Sequence, residues 1–372
     1  NMQFIDLKTQ QKRIRQDVEK RILNVLDHGR YIMGPEIKEL EQTLAEYVGV
    51  AHCITCSSGT DALLMPLMAW NIGPGDAVFV PTFTFIATAE MVQLLGATPI
   101  FVDIEKDTFN MDPLELEKKI SQIAQEGKLN PRAVIPVDLF GLPANYPEIQ
   151  KIAEKYNILV LEDGAQGFGG KIGDQKVCSF GDAATTSFFP AKPLGGYGDG
   201  GAVFTNNDEL AKKLESIRVH GKGSDKYDNI RVGINGRMDS IQAAIVLSKL
   251  TIFDDEILRR EKWARAYSDQ LAPTFQLQKI PGTYASAWAQ YSLITKGNEH
   301  RDEVMNKLKN HGIPTMIYYP IPLHLQTTFK HLNNSVGDYP VSEDTADCIF
   351  SLPMHPYLDD ETINQIVSGL LD

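Results

Sequence analysis

Cysteine is scarce in this chain, four in 372 residues, and the four do not assemble a site by their spacing. Cys53 and Cys56 form one C-x-x-C beside His52, while Cys178 and Cys348 stand alone. A zinc centre would lack its second ligand pair, and a redox centre would lack the helix start such motifs use. An even cysteine count alone is no argument for disulfides. Apolar runs long enough to span a bilayer are absent, which excludes a membrane-crossing helix. The first residues are polar by Gln3 and Asp6 and show no signal-peptide pattern, so a cytoplasmic protein is expected, with Asn1 ahead of Met2 reading as a cloning remnant. Positive charge is in deficit: 36 basic against 48 acidic side chains leave a net charge of −12, which disfavours nucleic acid or an anionic membrane as partner. An anionic small molecule would then need local cations, and Arg218, His220, Lys222, Arg231 and Arg237 are the candidates. Internal repeats and low-complexity segments are also missing.

What is present is alternation. Ile14, Val18, Ile22 and Val25 recur at helical spacing up to Gly29, and Ile37, Leu40, Leu44 and Val48 do the same up to Gly49. Apolar strand-like runs follow at 77–81, 99–102, 133–137, 158–162, 183–188 and 202–205, with helical stretches between most of them. This pattern predicts an α/β fold with a mostly parallel sheet covered on both faces. A long helix over 238–271 leads to a smaller C-terminal α/β domain, with strands near 287–295 and helices near 301–311, 342–350 and 361–371. The expected division is residues 1–250, a large domain with N-terminal helices, and 251–372, a small one. Stretches 282–286 and 333–339 read as loops.

One lysine stands out chemically. Lys192 lies in S-F-F-P-A-K-P-L-G-G-Y-G-D-G-G, residues 187–201, with no carboxylate before Asp199. An amine in so poorly solvated a setting loses proton affinity and becomes a nucleophile able to form a Schiff base, which points to pyridoxal phosphate. That cofactor needs three further parts. A carboxylate for its pyridine nitrogen is supplied by Asp163, ending the apolar run I-L-V-L-E-D. A helix N-terminus for its phosphate is offered by Ser58, Gly59 and Thr60 in S-S-G-T-D-A-L-L. An aromatic face for its ring is offered by Phe85 in P-T-F-T-F-I-A-T. Each has an ordinary alternative: a cap, a turn and a core residue. Their joint occurrence at successive strand ends favours the cofactor reading.

These motifs, together with G-R-Y-I-M-G-P-E, E-D-G-A-Q-G-F-G and V-G-I-N-G-R-M-D, resemble the DegT/DnrJ/EryC1/StrS sugar aminotransferases, within fold-type I of the pyridoxal phosphate enzymes. The resemblance extends from F-I-D-L near the start to S-L-P-M-H-P-Y-L-D near the end and implies a seven-stranded-type sheet. It implies that Lys192 carries the cofactor and then moves protons, that Asp163 pairs with the pyridinium, and that Gln166 lies near the ring hydroxyl. It further implies that Ser58, Gly59, Thr60 and Ser187 hold the phosphate, and that Asn235 reaches it from the neighbouring subunit of a homodimer. Arg237 in the same loop is a candidate for the substrate-side guanidinium, and Tyr31, Tyr319 and His324 are further substrate candidates, although the prolines of Y-P-I-P-L-H equally suit a rigid turn.

Within the family the likeness is to aminotransferases acting on UDP-2-acetamido-2-deoxy-3-oxo-D-glucuronate, which take the amino group of L-glutamate for surface polysaccharide (lipopolysaccharide, O-antigen) synthesis. Gly164, Gly196 and Tyr318 depart from the alanine, cysteine and histidine expected there. A dTDP-linked 3-oxo-6-deoxyhexose or a 4-oxo nucleotide sugar is the alternative substrate. A pyridoxamine-dependent dehydratase would carry histidine in place of Lys192, and an inactive regulator would not need Lys192, Asp163, Gln166, Ser187 and Asn235 together.

Overall fold

The computed structural model describes residues 2–372; Asn1, read above as a cloning remnant, lies outside them. Two helices open the chain, α1 (Leu7–His28) and α2 (Pro35–Val48), each ended by a glycine in the left-handed region, Gly29 at φ 67° and Gly49 at φ 85°. Then come β1 (His52–Cys56), α3 (Gly59–Ala69), β2 (Asp76–Pro81), α4 (Ala87–Leu94), β3 (Thr98–Val102), α5 (Pro113–Glu126), β4 (Asn130–Val134), α6 (Tyr146–Tyr156) and β5 (Leu159–Asp163). A two-residue pair, β6 (Lys171–Ile172) and β7 (Gln175–Lys176), precedes β8 (Ala183–Ser187), β9 (Gly201–Thr205) and α7 (Asp208–Arg218).

These strands form a seven-stranded sheet in the order β1-β9-β8-β5-β4-β2-β3. The pairs β2–β3, β2–β4, β4–β5 and β5–β8 are parallel, while β9 runs antiparallel to both its neighbours. Only β9 is therefore reversed. Alternate residues of β2 show why both faces are covered: Val78 and Val80 pack with α3, α4 and α7, whereas Ala77 and Phe79 pack with α5 and α6. Nothing in β2 is exposed, and burying a side chain such as Phe79 contributes about 1.5–3 kcal/mol relative to leaving it in water.

The helix α8 (Ser240–Leu271) is 32 residues long. Its first half covers α1 and α2 through Ile245, Val246 and Leu247, and its second half supplies Trp263, Tyr267 and Leu271 to a separate core. That core belongs to a three-stranded antiparallel sheet of β10 (Gln276–Leu277), β12 (Tyr291–Ile294) and β13 (Ile349–Leu352). It is covered by α9 (Asn298–Asn310) and α11 (Asp360–Leu371), with α10 (Pro340–Cys348) leading into β13. The expected boundary near residue 250 thus falls inside a helix that both parts share. Stretch 282–286, expected as loop, contains β11 (Tyr284–Ala285), paired to β6.

Candidate active site

Because β1, β2, β5 and β8 point the same way, their C-terminal ends share one edge of the sheet, where open α/β sheets gather ligand-binding groups. Ser58 follows β1, Thr82 to Phe85 follow β2, Asp163 ends β5, and Ser187 ends β8 ahead of the loop carrying Lys192.

Asp163 is buried and lacks an ion-pair partner among the described residues. Its Oδ2 accepts the Thr88 hydroxyl at 2.9 Å and its Oδ1 accepts the Ala165 N–H at 3.2 Å. Burial pushes its proton affinity above the usual carboxylate range, with Thr88, Ala165 and the charge of Lys192 pulling the other way. Lys192 is the mirror case: desolvation depresses its ammonium and Asp163 opposes this. A lysine with a depressed ammonium, in the loop after β8, thus lies within the field of a buried carboxylate at the end of β5. Thr88 escaped the sequence reading, though a threonine among the apolar residues opening α4 signals a hydroxyl that needs a partner.

At the start of α3 the Ser58 hydroxyl caps the helix by accepting the Asp61 N–H at 3.0 Å, leaving its own hydrogen to donate. A Cβ placed on Gly59 would stand 2.6 Å from the Ser187 Cβ. Glycine is required there because the helix start and the end of β8 touch, so amides of Gly59 and Thr60 and the hydroxyls of Ser58 and Ser187 surround one small volume. Such a cradle suits a dianion. Phe85 lies beyond β2 with 54% of its surface exposed, whereas Phe83 two residues earlier is core. The parts present fit pyridoxal phosphate: a phosphate cradle, an unpaired carboxylate, an apolar face and an amine.

Gln166 is buried; its Oε1 accepts the Phe140 N–H at 2.7 Å and its Nε2 donates to the Tyr319 hydroxyl at 2.9 Å. Tyr319, expected at the substrate, is thus also the residue that orients Gln166, with its ring edge-on to Phe83. His324 departs from expectation. It is buried, with Nδ1 bonded to the Thr82 hydroxyl at 2.7 Å and Nε2 to Glu343 at 2.8 Å, so no ring nitrogen is left for a substrate. It latches the 319–325 segment to the end of β2. Arg218 is likewise structural, buried in an ion pair with Glu41 and donating to the Thr55 carbonyl at 2.9 Å.

Tyr31, Asn235 and Arg237 lie on two adjoining loops, joined by the bridge between Ile32 and Asp239 and by Ser240 N–H donating to the Tyr31 carbonyl at 2.9 Å. Tyr31 and Asn235 are exposed, and the Arg237 Nε is buried without a hydrogen-bond partner. The Ser57 N–H, bonded to the Gly236 carbonyl at 3.1 Å, fixes this loop beside the cradle. Cys53 and Cys56 face opposite sides of β1, one toward α2 and α8 and the other toward α3, so they do not converge on one ion.

Residues 12–371 match the model of the DegT/DnrJ/EryC1/StrS aminotransferase family. The chain belongs to this family. A UDP-2-acetamido-2-deoxy-3-oxo-D-glucuronate aminotransferase from Pseudomonas aeruginosa is 45% identical over 375 residues, covering 99% of both chains. A dTDP-3-amino-3,4,6-trideoxy-alpha-D-glucose transaminase from Streptomyces venezuelae is 35% identical, over 96% of this chain and 92% of its own length. Among solved structures, a DegT DnrJ EryC1 StrS aminotransferase from Brucella abortus superposes with a TM-score of 0.97 at 50% identity, covering 100% of this chain and 98% of that one. The chain is therefore a nucleotide-sugar aminotransferase by family and by fold.

Proposed function

We propose that this aminotransferase uses pyridoxal phosphate to move the amino group of L-glutamate to the 3-oxo carbon of UDP-2-acetamido-2-deoxy-3-oxo-D-glucuronate, for surface polysaccharide synthesis in the cytoplasm. The observation that carries the chemistry is Lys192 with its depressed ammonium opposite buried Asp163. The substrate assignment rests on the 45% identity, over the whole chain, to the uronate aminotransferase, against 35% for the dTDP-sugar enzyme.

Bound in the cradle, the cofactor supplies a carbon that accepts or releases the amino group and a ring that withdraws electrons from it. The chain does the rest. Lys192 Nζ would take the proton from the nitrogen-bearing carbon of the amino donor and, in the second half-reaction, deliver one to the sugar carbon that receives the nitrogen. Asp163 holds the proton on the pyridine nitrogen, and Gln166, locked by Phe140 and Tyr319, lies near the ring hydroxyl. Ser58, Gly59, Thr60 and Ser187 bind the phosphate, and Phe85 covers the ring and excludes water. Arg237 meets the substrate's anionic end and Tyr31 lines the same side. A second copy of the chain contributes Asn235, and the exposed apolar residues Ile32, Phe189, Ile230 and Val232 near these loops support such a dimer.

Purified protein loaded with pyridoxal phosphate should absorb in the visible and lose that band when L-glutamate is added. The Lys192→Ala variant should fold, show no such band and fail to turn over. Full transamination by that variant would sink the mechanism, and a visible band indifferent to glutamate would redirect the donor assignment.

A further inference from the structure

Directly behind Asp163, on the opposite face of β5, two acids are buried together without a cation. Glu162 and Asp138 have no exposed surface. The two carboxyls are neighbours, each shifting the other's proton affinity, and no lysine, arginine or histidine pairs with either among the described residues. Two neighbouring anions in such a place repel one another and are costly to desolvate, so the pair holds one proton.

The hydrogen bonds decide where it sits. Glu162 accepts the Cys178 N–H on Oε1 and the Phe180 N–H on Oε2, both at 3.0 Å. Both of its oxygens therefore act as acceptors, the pattern of an ionised carboxylate. Asp138 Oδ1 accepts the Ala144 N–H at 3.1 Å and the Tyr146 hydroxyl at 2.6 Å. Asp138 Oδ2 alone is buried with no donor. Of the four carboxyl oxygens it is the one that must itself carry the hydrogen. Burial pushes both acids up; the charge of Asp138 adds to it for Glu162, while for Asp138 the neighbouring Glu162, the Tyr146 hydroxyl and the Ala144 N–H pull the other way and the charge of Asp163 pushes up.

We propose that Asp138 is a neutral acid at physiological pH, donating from Oδ2 to an ionised Glu162, and that the pair is a positioning element for Asp163. This rests on the cofactor reading above. The connection is direct: the Asp138 backbone N–H donates to the Asp163 carbonyl at 3.0 Å, and Glu162 is the preceding residue of β5. A Cβ on Gly167 would stand 2.6 Å from the Asp138 Cβ, so the turn carrying Gln166 is packed on the same acid. The single charge left on Glu162 faces Asp163 through the strand and strengthens the hold of the site on the pyridine proton. The titratable groups around the pair are Asp163 on β5, Tyr146 on α6 and Cys178 after β7, none of them cationic; Lys192 acts on Asp163 from the far side.

The test begins without cofactor. Infrared spectra of the apoprotein at pH 7 should contain the band of an un-ionised carboxylic acid, and Asp138→Asn should remove it while leaving the protein folded, since the amide Nδ2 can donate where Oδ2 does. Absence of the band from wild type, its persistence in the variant, or unfolding of the variant would each overturn the assignment, whatever the fate of the cofactor reading. With pyridoxal phosphate bound, loss of the shared proton at alkaline pH places a second charge behind Asp163. Wild type should then show an alkaline inflection in its visible-band titration that Asp138→Asn lacks, and identical titrations would refute the positioning role. Glu162→Gln sets an NH2 against a backbone N–H and should lose the folded state or at least tenfold in cofactor affinity; a variant behaving like Asp138→Asn would also count against the proposal.

Discussion

Replacing Thr88 with valine keeps the β-branched shape at the start of α4 and removes one thing, the hydroxyl that donates 2.9 Å to Asp163 Oδ2. The loss depends on which form of the acid is present. A hydrogen bond to a neutral group contributes about 0.5–1.5 kcal/mol and one to a charged group about 1.5–3 kcal/mol, so the difference is of order 1 kcal/mol, roughly one pKa unit. Asp163 is already raised above its ordinary value of 3.8 by burial, and Thr88 is the largest influence lowering it. In the cofactor-free protein the stability linked to such a raised group is fully present below the unfolded value and is lost as pH rises through the folded one. Thr88→Val raises the folded value further, so the loss with rising pH becomes larger. Urea unfolding of the apoprotein should give a wild-type-to-variant difference greater at pH 8 than at pH 5 by about 1 kcal/mol. Thr88→Ser, which keeps the hydroxyl, should behave as wild type in this respect. An equal difference at both pH values, or a serine variant no better than valine, would refute the reasoning, because either result would mean that the hydroxyl does not act on the charge of Asp163.

Two further outcomes follow from contacts in the site. Gly59→Ala should fold with a loss of about 1–3 kcal/mol and bind pyridoxal phosphate at least tenfold more weakly, since its Cβ would stand 2.6 Å from that of Ser187; calorimetric titration with the cofactor checks this. His324→Ala should cost about 1–3 kcal/mol by freeing the Thr82 hydroxyl and one bond of Glu343. Burial holds His324 below its ordinary 6.5, so the stability it contributes is present above that value and lost as pH falls; melting temperatures of wild type and variant should therefore converge as the pH is lowered below 6.5.

The large sheet was legible because its strands are continuous apolar runs separated by helical periodicity, as in A-V-F-V at β2 and L-V-L-E-D at β5. The small strands were not: β6, β7, β10 and β11 are two residues each, too short to display an alternation. In I-F-S-L the apolar residues continue the preceding helical pattern, so β13 merged with α10 in the sequence, while the backbone turns extended at Ile349. Lys192, Asp163 and the Ser58–Thr60 turn could be singled out because each combines a reactive group with a local signal, an apolar run or a helix start. Thr88, Arg218 and His324 could not be assigned in the same way. Their roles are fixed by partners 75, 177 and 242 residues away, and a sequence carries no sign of such meetings.

That long-range wiring also ties the 319–325 segment to Gln166 and to the end of β2. Gln166 has one oxygen and one NH2 to place, and two different parts of the chain claim them: Phe140 from the large domain and Tyr319 from the 319–325 segment. If the segment shifted, the Nε2 would lose its acceptor and Gln166 could turn about its last bond. His324 prevents this from five residues away, pinned between Thr82 and Glu343, while Leu323 N–H adds a bond to the Thr82 carbonyl at 2.7 Å. Thr82 in turn begins the stretch that ends at Phe85. His324, which the sequence left between a substrate contact and a rigid turn, therefore acts one step back, holding in register the stretch that ends at Phe85 and the side chain of Gln166.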